Sequence, residues 1–372
     1  MRIVMFYHSL VSDWNHGNAH FLRGVVAELL ARGHDVRVYE PADGWSRTNL
    51  VREQGTAVLA AFASAFPGLE STGYRLDTLD LDEALDGADL VLVHEWNEHE
   101  LVRRIGAHRA ATRAYPLLFH DTHHRSVTDR DGVAGYDLRH FDGVLAFGEV
   151  VRSVYLEMGW TERAWTWHEA ADVRVFRPRP ETTREGDVVW IGNWGDDERS
   201  AELHRFLIEP VRSLGARARA FGVRYPDSAL RALDEAGIDY DGWLPNHLVP
   251  VELARHALTV HVPRRPYVRA LPGIPTIRVF EALACGIPLV CAPWHDTEGL
   301  FAPDRDFLVA PDGRTMRSHM RMLLHDRDAA AGLAAHGLQT VRSRHTCAHR
   351  VDELLAIAAG CEPGFTGRTI AA

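Results

Sequence analysis

Short apolar runs bounded by polar residues recur along the first part of the chain. RIVMFYH at residues 2–8 precedes AHFLRGVVAELLARGH at 19–34, where apolar positions recur at helical spacing up to Gly33, and DVRVYEP at 35–41 follows. Continuous short apolar runs are typical of buried parallel strands, and periodic ones of amphipathic helices. The order strand, helix, strand predicts a right-handed crossover within a parallel sheet.

The alternation continues, breaks, and begins again. ADLVLVHEW, YPLLFHDTHH and FDGVLAFG predict further strands, and the polar, proline-bearing stretch 168–187 indicates a connection between domains. Beyond it, more strands and helices alternate. We therefore predict an α/β protein with two facing doubly wound, Rossmann-like domains. The predicted parts are an N-terminal domain at 1–175, a linker at 176–186, a C-terminal domain at 187–345, a closing helix at 346–360 and a tail at 361–372.

Polar residues stand where several predicted strands of the first half end. His8, His94, Glu95, His120 and Asp121 all occupy such positions. In open α/β sheets, sites form where loops leave the carboxyl ends of the strands. An acidic residue such as Glu95 suits the hydroxyls of a ligand or a cationic group on it.

Length and composition narrow the class of protein. A chain of 372 residues favours two domains, and the net charge of -10 disfavours a nucleic-acid partner. The four cysteines lack CxxC spacing, which disfavours a disulfide framework or a zinc site. The start is too interrupted for a signal peptide, and no 18-residue apolar run occurs. We expect a soluble, cytoplasmic protein without an integral membrane segment.

One stretch carries specific chemistry. GIPTIRVFEALACGIPLV, at residues 273–290, places Glu281 in an otherwise apolar predicted helix after a loop of small residues. A partly exposed helix position explains a lone glutamate. Alternatively, the amides near Thr276, Ile277 and Arg278 hold a diphosphate at the helix N-terminus, and Glu281 accepts bonds from nearby hydroxyls.

Segments spread along the second half resemble a known family. They are HEAADVRVFRP, IGNWGDDERSAEL, IRVFEALACGIPLV and RHTCAHRVDELL. Together they resemble the nucleotide-sugar-dependent glycosyltransferases of GT-B fold, in particular family 4 and the branch of spore-maturation-type glycosyltransferases. The resemblance implies transfer of a sugar from a nucleoside-diphosphate sugar to an acceptor hydroxyl, with retention of configuration. It implies no cofactor and no bound metal, and it favours a UDP-sugar as the donor substrate.

The resemblance also implies which residues bind the donor, with Glu281 accepting from the ribose hydroxyls. Arg199 is a candidate partner of the diphosphate or a solvated helix-face arginine, and Trp243 lies in the loop that holds the base or simply packs. Asp196 and Asp197 are expected to cap the helix that follows. The predicted donor residues are Gly192, Asn193, Arg199, Trp243, Leu244, Pro275, Thr276, Ile277, Arg278 and Glu281.

The chain departs from the family at one position. Family 4 members carry two glutamates separated by seven residues, and the first contacts the transferred sugar. Gly273 occupies that first position here. The identity of the donor sugar, and what replaces this glutamate, therefore stay open.

The first half supplies the acceptor or sugar side in this interpretation. SDWNHGNAHFLRG, with Gly17 and Asn18, resembles the flexible loop over the sugar and acceptor. We predict His120 as the catalytic residue, hydrogen-bonded to the donor sugar or an acceptor hydroxyl, with a structural histidine as the alternative. The surrounding FHDTHHR is also considered as a metal site, but its spacing matches no closed tetrahedral set.

Rival functions remain. A nucleotide-sugar 2-epimerase shares the fold class and needs no acceptor, and a non-catalytic sugar-nucleotide-binding protein would tolerate Gly273. A dinucleotide-dependent dehydrogenase is disfavoured because no GxGxxG follows the first strand. The expected partners are a nucleotide-sugar and a small-molecule or saccharide acceptor, and the oligomeric state is left open.

Overall fold

A computed structural model describes residues 1–361, so the predicted tail, apart from Cys361, lies outside the described residues. Contacts divide the chain into two compact units. The first unit contains Met1–Val11, Val25–His168 and the residues from Ala348, and the second contains Ser12–Gly24 and Glu169–Cys347. Each unit has one parallel sheet with helices, which confirms the predicted α/β class with two Rossmann-like domains.

This division differs from the predicted boundaries in two places. Residues 12–24 group with the second unit because Asp13 and His20 bond to its loops and helices. The helix Cys347–Ala359 returns, from Ala348 on, to the first unit. There the indole of Trp167 donates to the carbonyl of Arg350 at 2.8 Å. The local composition of residues 12–24 and of the Cys347–Ala359 helix does not show which unit these segments join.

The sheet of the first unit has seven strands in the order β3-β2-β1-β4-β5-β6-β7. Its central strands are almost entirely apolar and buried, as parallel strands covered on both faces must be. The strands are β1 Arg2–Phe6, β2 Asp35–Pro41, β3 Thr72–Tyr74, β4 Leu90–His94, β5 Leu117–Asp121, β6 Gly143–Ala146 and β7 Ala164–Thr166. The five predicted strands are confirmed, and only the three-residue edge strands β3 and β7 lacked a prediction.

Helices connect these strands. The predicted helix after β1 runs from Ala19 to Ala31, and its C-terminal end is closed by Gly33 at φ +81°. The stretch 44–73 contains two helices. The helices that follow are Trp45–Gln54, Ala57–Ala65, Leu81–Ala84, His99–Thr112, Arg125–Thr128, Arg130–Ala134 and Glu149–Glu157.

The sheet of the second unit has six strands in the order β10-β9-β8-β11-β12-β13. Val188, Leu258 and Val290, from three neighbouring strands, are fully buried in its core. The strands are β8 Gly186–Ile191, β9 Ala218–Phe221, β10 Ile238–Tyr240, β11 His256–His261, β12 Leu289–Cys291 and β13 Leu308–Val309.

The helical region at 200–214 is irregular. A π-helical turn, His204–Ile208, separates Ser200–Leu203 from Glu209–Leu214. Pro210 explains the irregularity, because it has no amide hydrogen for the carbonyl one turn earlier and its ring crowds that carbonyl. The other helices are Asp227–Glu235, Val249–Ala254, Arg265–Arg269, Ile277–Ala284, Gly313–His325 and Arg327–Arg344, with 3-10 turns at Asp196–Glu198 and Asn246–Leu248.

All four cysteines lie in the described part of the chain and are buried thiols. Within residues 1–361, no helix is both long and apolar enough to cross a membrane.

Candidate functional site

The N-terminus of the Ile277–Ala284 helix lies at the carboxyl edge of the second sheet. His261 is the last residue of β11, and its Nε2 bonds the hydroxyl of Thr276 at 2.9 Å. Thr276 is the N-cap residue, yet its side chain makes no capping bond to the helix. The first-turn amides of Ile277 and Arg278 therefore keep the partial positive charge of an uncapped helix start, where the sequence placed a diphosphate.

Three arginines influence one another electrostatically near this helix start. Burial, together with the positive charges of Arg264 and Arg278, lowers the pKa of Arg199 to about 9. Burial, together with Arg199 and Arg278, also lowers the pKa of His261 to about 3, so the imidazole is neutral at pH 7. The Nδ1 of His261, which is only 3% exposed, has no hydrogen-bond partner among the described residues. The result is an electropositive centre that contains one unpartnered polar atom.

Arg199 connects two loops at this centre. It donates to the carbonyls of Asn193, of Trp194 at 3.3 Å and of Val262 at 2.9 Å. Its guanidinium also lies 5.2 Å from the centre of the Trp190 ring. A helix-face arginine that meets only water is therefore ruled out. Arg199 is a partly buried cation that joins the loop after β8 to the end of β11.

The loop after β8 is fixed by its own polar atoms. The amide of Gly192 donates to the carbonyl of Phe221 at 2.9 Å, and Oδ1 of Asn193 accepts the amide of Val223 at 2.9 Å. The prediction that Asp196 and Asp197 cap the next helix was wrong, because that helix has no side-chain cap. Asp196 has a positive φ of 51° and turns its carboxylate toward Arg224 at 3.1 Å instead.

Glu281 is buried and binds several side chains, so the interpretation of Glu281 as a partly exposed helix position is wrong. It is 1% exposed, and Oε1 accepts from His20 and from Asn246, each at 3.0 Å. Oε2 pairs with Arg278. Burial by itself would raise the pKa of Glu281, but the charge of Arg278 and the bonds from His20 and Asn246 lower it below its ordinary value. The structure therefore holds this group as a carboxylate whose two oxygens already bind protein donors.

His20 is fixed in one tautomer. Its Nε2 accepts the amide of Asp172 at 2.8 Å, so the ring proton lies on Nδ1 and is donated to Glu281. The ring also stacks on Phe176 with centroids 3.8 Å apart. His20 thereby connects the start of the second unit's main segment to the candidate site.

Asp13 organises the loop predicted to hold the base. Its two oxygens accept the indole of Trp243 at 2.9 Å, the amide of Asn246 at 3.0 Å and the guanidinium of Arg23 at 2.9 Å. The indole of Trp243 is thus engaged with Asp13, and neighbouring Leu244 is half-buried. The polar stretch SDWNHG was the only sequence signal, and it did not distinguish Asp13 from its neighbours.

The segment 12–24 also reaches the helix start. A Cβ on Gly17 would lie 3.4 Å from a methyl of Ile277. Asn18 accepts the amide of Leu22 at 3.0 Å as the segment turns into its helix. Gly17 therefore lies beside the predicted donor helix, in a segment held by Asp13 and His20.

The structure shows what fills the space beside Gly273. Its φ is +91°, and a Cβ there would lie 2.6 Å from Oγ1 of Thr297 and 2.8 Å from Cγ of Glu298. Side chains of the following loop occupy the place that a residue at 273 would need. The glycine is therefore required by the backbone and by its neighbours.

A second buried carboxyl faces the same ion pair. Glu169 is 3% exposed, and its Oε1 has no hydrogen-bond partner among the described residues. Burial and then the charge of Glu281 raise the pKa of Glu169 to about 8, against the opposing effect of Arg278. Nothing in the local sequence HEAAD marked this residue.

The remaining predicted residues lie in the first unit and are buried. His120 is 0% exposed, and its ring packs against Trp167 at 4.8 Å and His94 at 5.3 Å. Burial lowers the pKa of His120 to about 3, so the ring is neutral. This environment is that of a packed core histidine, and a catalytic role for His120 stays a prediction.

Glu95 is likewise turned inward. Its Oε2 binds Arg125 at 2.6 and 3.0 Å. Burial and the neighbouring Asp121 raise the pKa of Glu95 to about 8 even though Arg125 opposes them. Within residues 1–361, no group of three or more His, Cys, Asp or Glu side chains is placed to hold a metal ion.

Comparison with known proteins agrees with this architecture. Residues 199–356 match the family model described as "Glycosyl transferase-like". Anabaena HepE in complex with UDP and glucose is similar in structure, with a TM-score of 0.67, 15% identity, and coverage of 96% of this chain and 99% of that one. The fold is that of the GT-B glycosyltransferases.

Two further solved structures support the same fold. An α-glucosyltransferase in complex with UDP and a 13-mer DNA has a TM-score of 0.69 at 12% identity, covering 96% of this chain and 100% of that one. Sucrose-phosphate synthase from Thermosynechococcus elongatus has a TM-score of 0.64 at 12% identity, covering 97% and 98%. No curated protein matches the sequence significantly. At these identities the structural likeness establishes the fold, while the glycosyltransferase-like model covers the part that contains Arg199 and Glu281.

Proposed function

We propose that this protein transfers a sugar from a nucleoside-diphosphate sugar to an acceptor hydroxyl. The observation that carries the proposal is the electropositive centre at the start of the Ile277–Ala284 helix. Arg199 lies there with backbone carbonyls as its hydrogen-bond partners, Arg264 and Arg278 lie near enough to lower its pKa, and Nδ1 of His261 is buried without a hydrogen-bond partner among the described residues. A diphosphate supplies the negative charge and acceptor oxygens that such a centre would bind.

The same groups would serve catalysis. Cleavage of the donor leaves a nucleoside diphosphate whose negative charge grows in the transition state, and fixed cations and amides stabilise that charge. The tautomer of His261 with its proton on Nδ1 would add a donor. We propose that these groups replace a bound metal ion, that UDP is the favoured nucleotide, and that configuration is retained, as the resemblance to family 4 and its spore-maturation-type branch implies.

Glu281 would act in two ways. In the structure it orients Arg278, His20 and Asn246, and we propose that it exchanges one of these partners for a ribose hydroxyl when the donor binds. The UDP complexes named among the similar structures favour this class of donor. One of those structures also contains DNA. The net charge of -10 favours an acceptor other than nucleic acid for this chain.

The test is turnover of UDP-[13C]glucose followed by NMR, with EDTA present, with and without a panel of glycoside and alcohol acceptors. A transferase gives a new glycosidic anomeric signal that depends on acceptor, and slow hydrolysis without one. A 2-epimerase gives a new UDP-sugar signal regardless of acceptor. Donor binding without any product would leave the non-catalytic binding protein as the function.

Arg264→Gln is the informative variant, because the charge of Arg264 acts on Arg199 and its side chain pairs with Glu198 at 3.3 Å. Loss of one charge-assisted bond to phosphate, about 1.5–3 kcal/mol, predicts roughly tenfold to hundredfold lower kcat/KM. Arg231→Gln makes the same charge change at an exposed position of the same unit and should leave kcat/KM unchanged. Equal effects of the two variants would overturn the proposed donor site.

A further inference from the structure

Two tryptophans of the first unit are unusually exposed. Trp45 is 49% and Trp96 is 39% exposed, and they are the two tryptophans among the exposed large hydrophobic residues of the described chain. Tryptophan has a large apolar ring surface, so exposing it to water is costly. Their exposure therefore calls for an explanation from their position.

Both tryptophans follow strands that flank β1. Trp45 begins the helix after β2, and Trp96 comes two residues after β4 ends at His94. The sheet order β2-β1-β4 sets them on either side of β1 at its carboxyl edge. Gly44 lies beside His8, two residues after β1 ends, since a Cβ on Gly44 would be in van der Waals contact with the carbonyl of His8 at 3.7 Å. Two interstrand spacings separate β2 from β4, about 10 Å.

Trp96 is held in place by its neighbours. The guanidinium of Arg125 lies 4.4 Å from its ring centre, and the rings of His8 and His123 lie at 5.7 and 5.1 Å. Arg125 is itself fixed by two bonds to the Glu95 carboxylate. A rigid aromatic surface bordered by imidazoles binds with little loss of side-chain entropy.

Two arginines at this edge each bind a carboxyl group. Arg125 binds Glu95 at 2.6 Å, and Arg47 binds Glu40 at 3.0 Å. Burial and the charge of Arg125 lower the pKa of His8 to about 4, so its imidazole is neutral at pH 7. Because the pKa of Glu95 is raised to about 8, Arg125 keeps a positive charge at pH 7, and a cationic ligand would meet that charge beside the Trp96 ring. The edge suits a neutral ligand with both apolar faces and hydroxyls.

We propose that Trp45 and Trp96 form the binding surface for a saccharide acceptor longer than one sugar ring. A sugar ring presents a face of C–H groups that packs on an indole, and its hydroxyls exchange hydrogen bonds with the neutral imidazole of His8. The separation of the two flanking strands suits a chain of sugar rings rather than one. The assignment rests on the proposed function, because it names the acceptor class of that reaction.

The test observes the indoles directly in protein labelled with 15N-indole tryptophan, whose signals are assigned with Trp45→Phe and Trp96→Phe. The full chain is titrated with maltotetraose, cellotetraose, chitotetraose and mannotetraose, and separately with 4-nitrophenol. We expect at least one tetrasaccharide to shift the Trp45 and Trp96 signals selectively. Trp45→Ala and Trp96→Ala should each raise its Kd roughly threefold to tenfold.

Met158→Ala is the control, since Met158 is 46% exposed in the same unit, at the end of the helix Glu149–Glu157. It should bind the tetrasaccharide as the wild type does. Failure of all four tetrasaccharides to shift either indole overturns the proposal, and so does a shift with 4-nitrophenol alone, which would indicate an aromatic acceptor. Because these titrations contain no nucleotide, such a failure does not bear on the proposed donor site. Conversely, a protein that binds a tetrasaccharide but not UDP would reject only the proposed donor site.

Discussion

Gly273 offers the sharpest test of the local structure beside the donor helix. Gly273→Ala adds a single Cβ at a residue whose φ is +91°, next to Oγ1 of Thr297 at 2.6 Å and Cγ of Glu298 at 2.8 Å. Gly299→Ala, in the same loop, is the matched control. Its φ is +65°, and nothing lies within 4 Å of the added atom. Both variants place a Cβ on a residue with positive φ, which strains the backbone. Only Gly273→Ala also brings that Cβ into close contact with neighbouring side chains.

The two costs can be estimated separately. A left-handed conformation costs a residue with a Cβ about 1 kcal/mol. The contacts at Gly273 add about 1–2 kcal/mol, at the low end for overpacking because the Glu298 side chain can turn aside. We therefore expect Gly273→Ala to lower the free energy of unfolding by about 2–3 kcal/mol and Gly299→Ala by about 1 kcal/mol. For a domain of this size, each kcal/mol lowers Tm by about 2–4 °C.

Urea denaturation of both variants at pH 7 measures the difference. Thr297→Ala should recover part of the loss in Gly273→Ala and none in Gly299→Ala, which a double-mutant cycle isolates. Gly273→Glu, which restores the residue usual in family 4, should lower stability further and give no gain in sugar transfer. Equal losses in Gly273→Ala and Gly299→Ala, or no coupling to Thr297, would refute this reasoning.

Three further predictions concern buried charges. Asp13→Ala removes the carboxylate that the 2% exposed Arg23 binds, so the free energy of unfolding should fall by about 3–5 kcal/mol in urea titrations. Asp35→Ala, at a surface pair, should lower it by under about 1 kcal/mol. Glu169 has a folded pKa of about 8 against 4.5, so the folded state binds its proton more tightly and stability falls as pH rises between these values. In a plot of the free energy of unfolding against pH, Glu169→Gln should remove a slope of at most about 1.4 kcal/mol per pH unit. A plot for Glu169→Gln that stays parallel to that of the wild type would contradict this. Arg199→Lys keeps the positive charge but loses the guanidinium group that donates to three backbone carbonyls. We expect the free energy of unfolding to fall by about 1–3 kcal/mol and UDP to bind more weakly in calorimetry. An unchanged affinity for UDP would exclude Arg199 from the site.

The fold was predictable because its signals are local. Strands such as β4 are continuous apolar runs, and the helix after β1 carries its own periodicity and closing glycine. Strands of two or three residues, such as β13 at Leu308–Val309, are too short to give a pattern. The start of the Ile277–Ala284 helix was also predictable, since the loop, the helix and Glu281 are contiguous in the sequence.

The contacts inside the site were not predictable because they join residues that are far apart in the sequence. His20 and Glu281 are 261 positions apart, and no local pattern links them. The burial of His120 and Glu95 results from neighbours on other strands, so a strand-end position did not imply exposure. The role of Gly273 depends on a positive φ and on a loop more than twenty residues later, neither of which is visible in one sequence.

The central claim is that a diphosphate binds at the start of the Ile277–Ala284 helix without a metal ion. Isothermal titration calorimetry of UDP and of uridine, both in EDTA, tests it most directly, with Arg264→Gln and Arg231→Gln as the paired variants. We predict that UDP binds at least about a hundredfold more tightly than uridine and that only Arg264→Gln removes about tenfold or more of that affinity. Equal affinities for UDP and uridine, UDP binding only after a divalent ion is added, or an unchanged affinity in Arg264→Gln would contradict the claim.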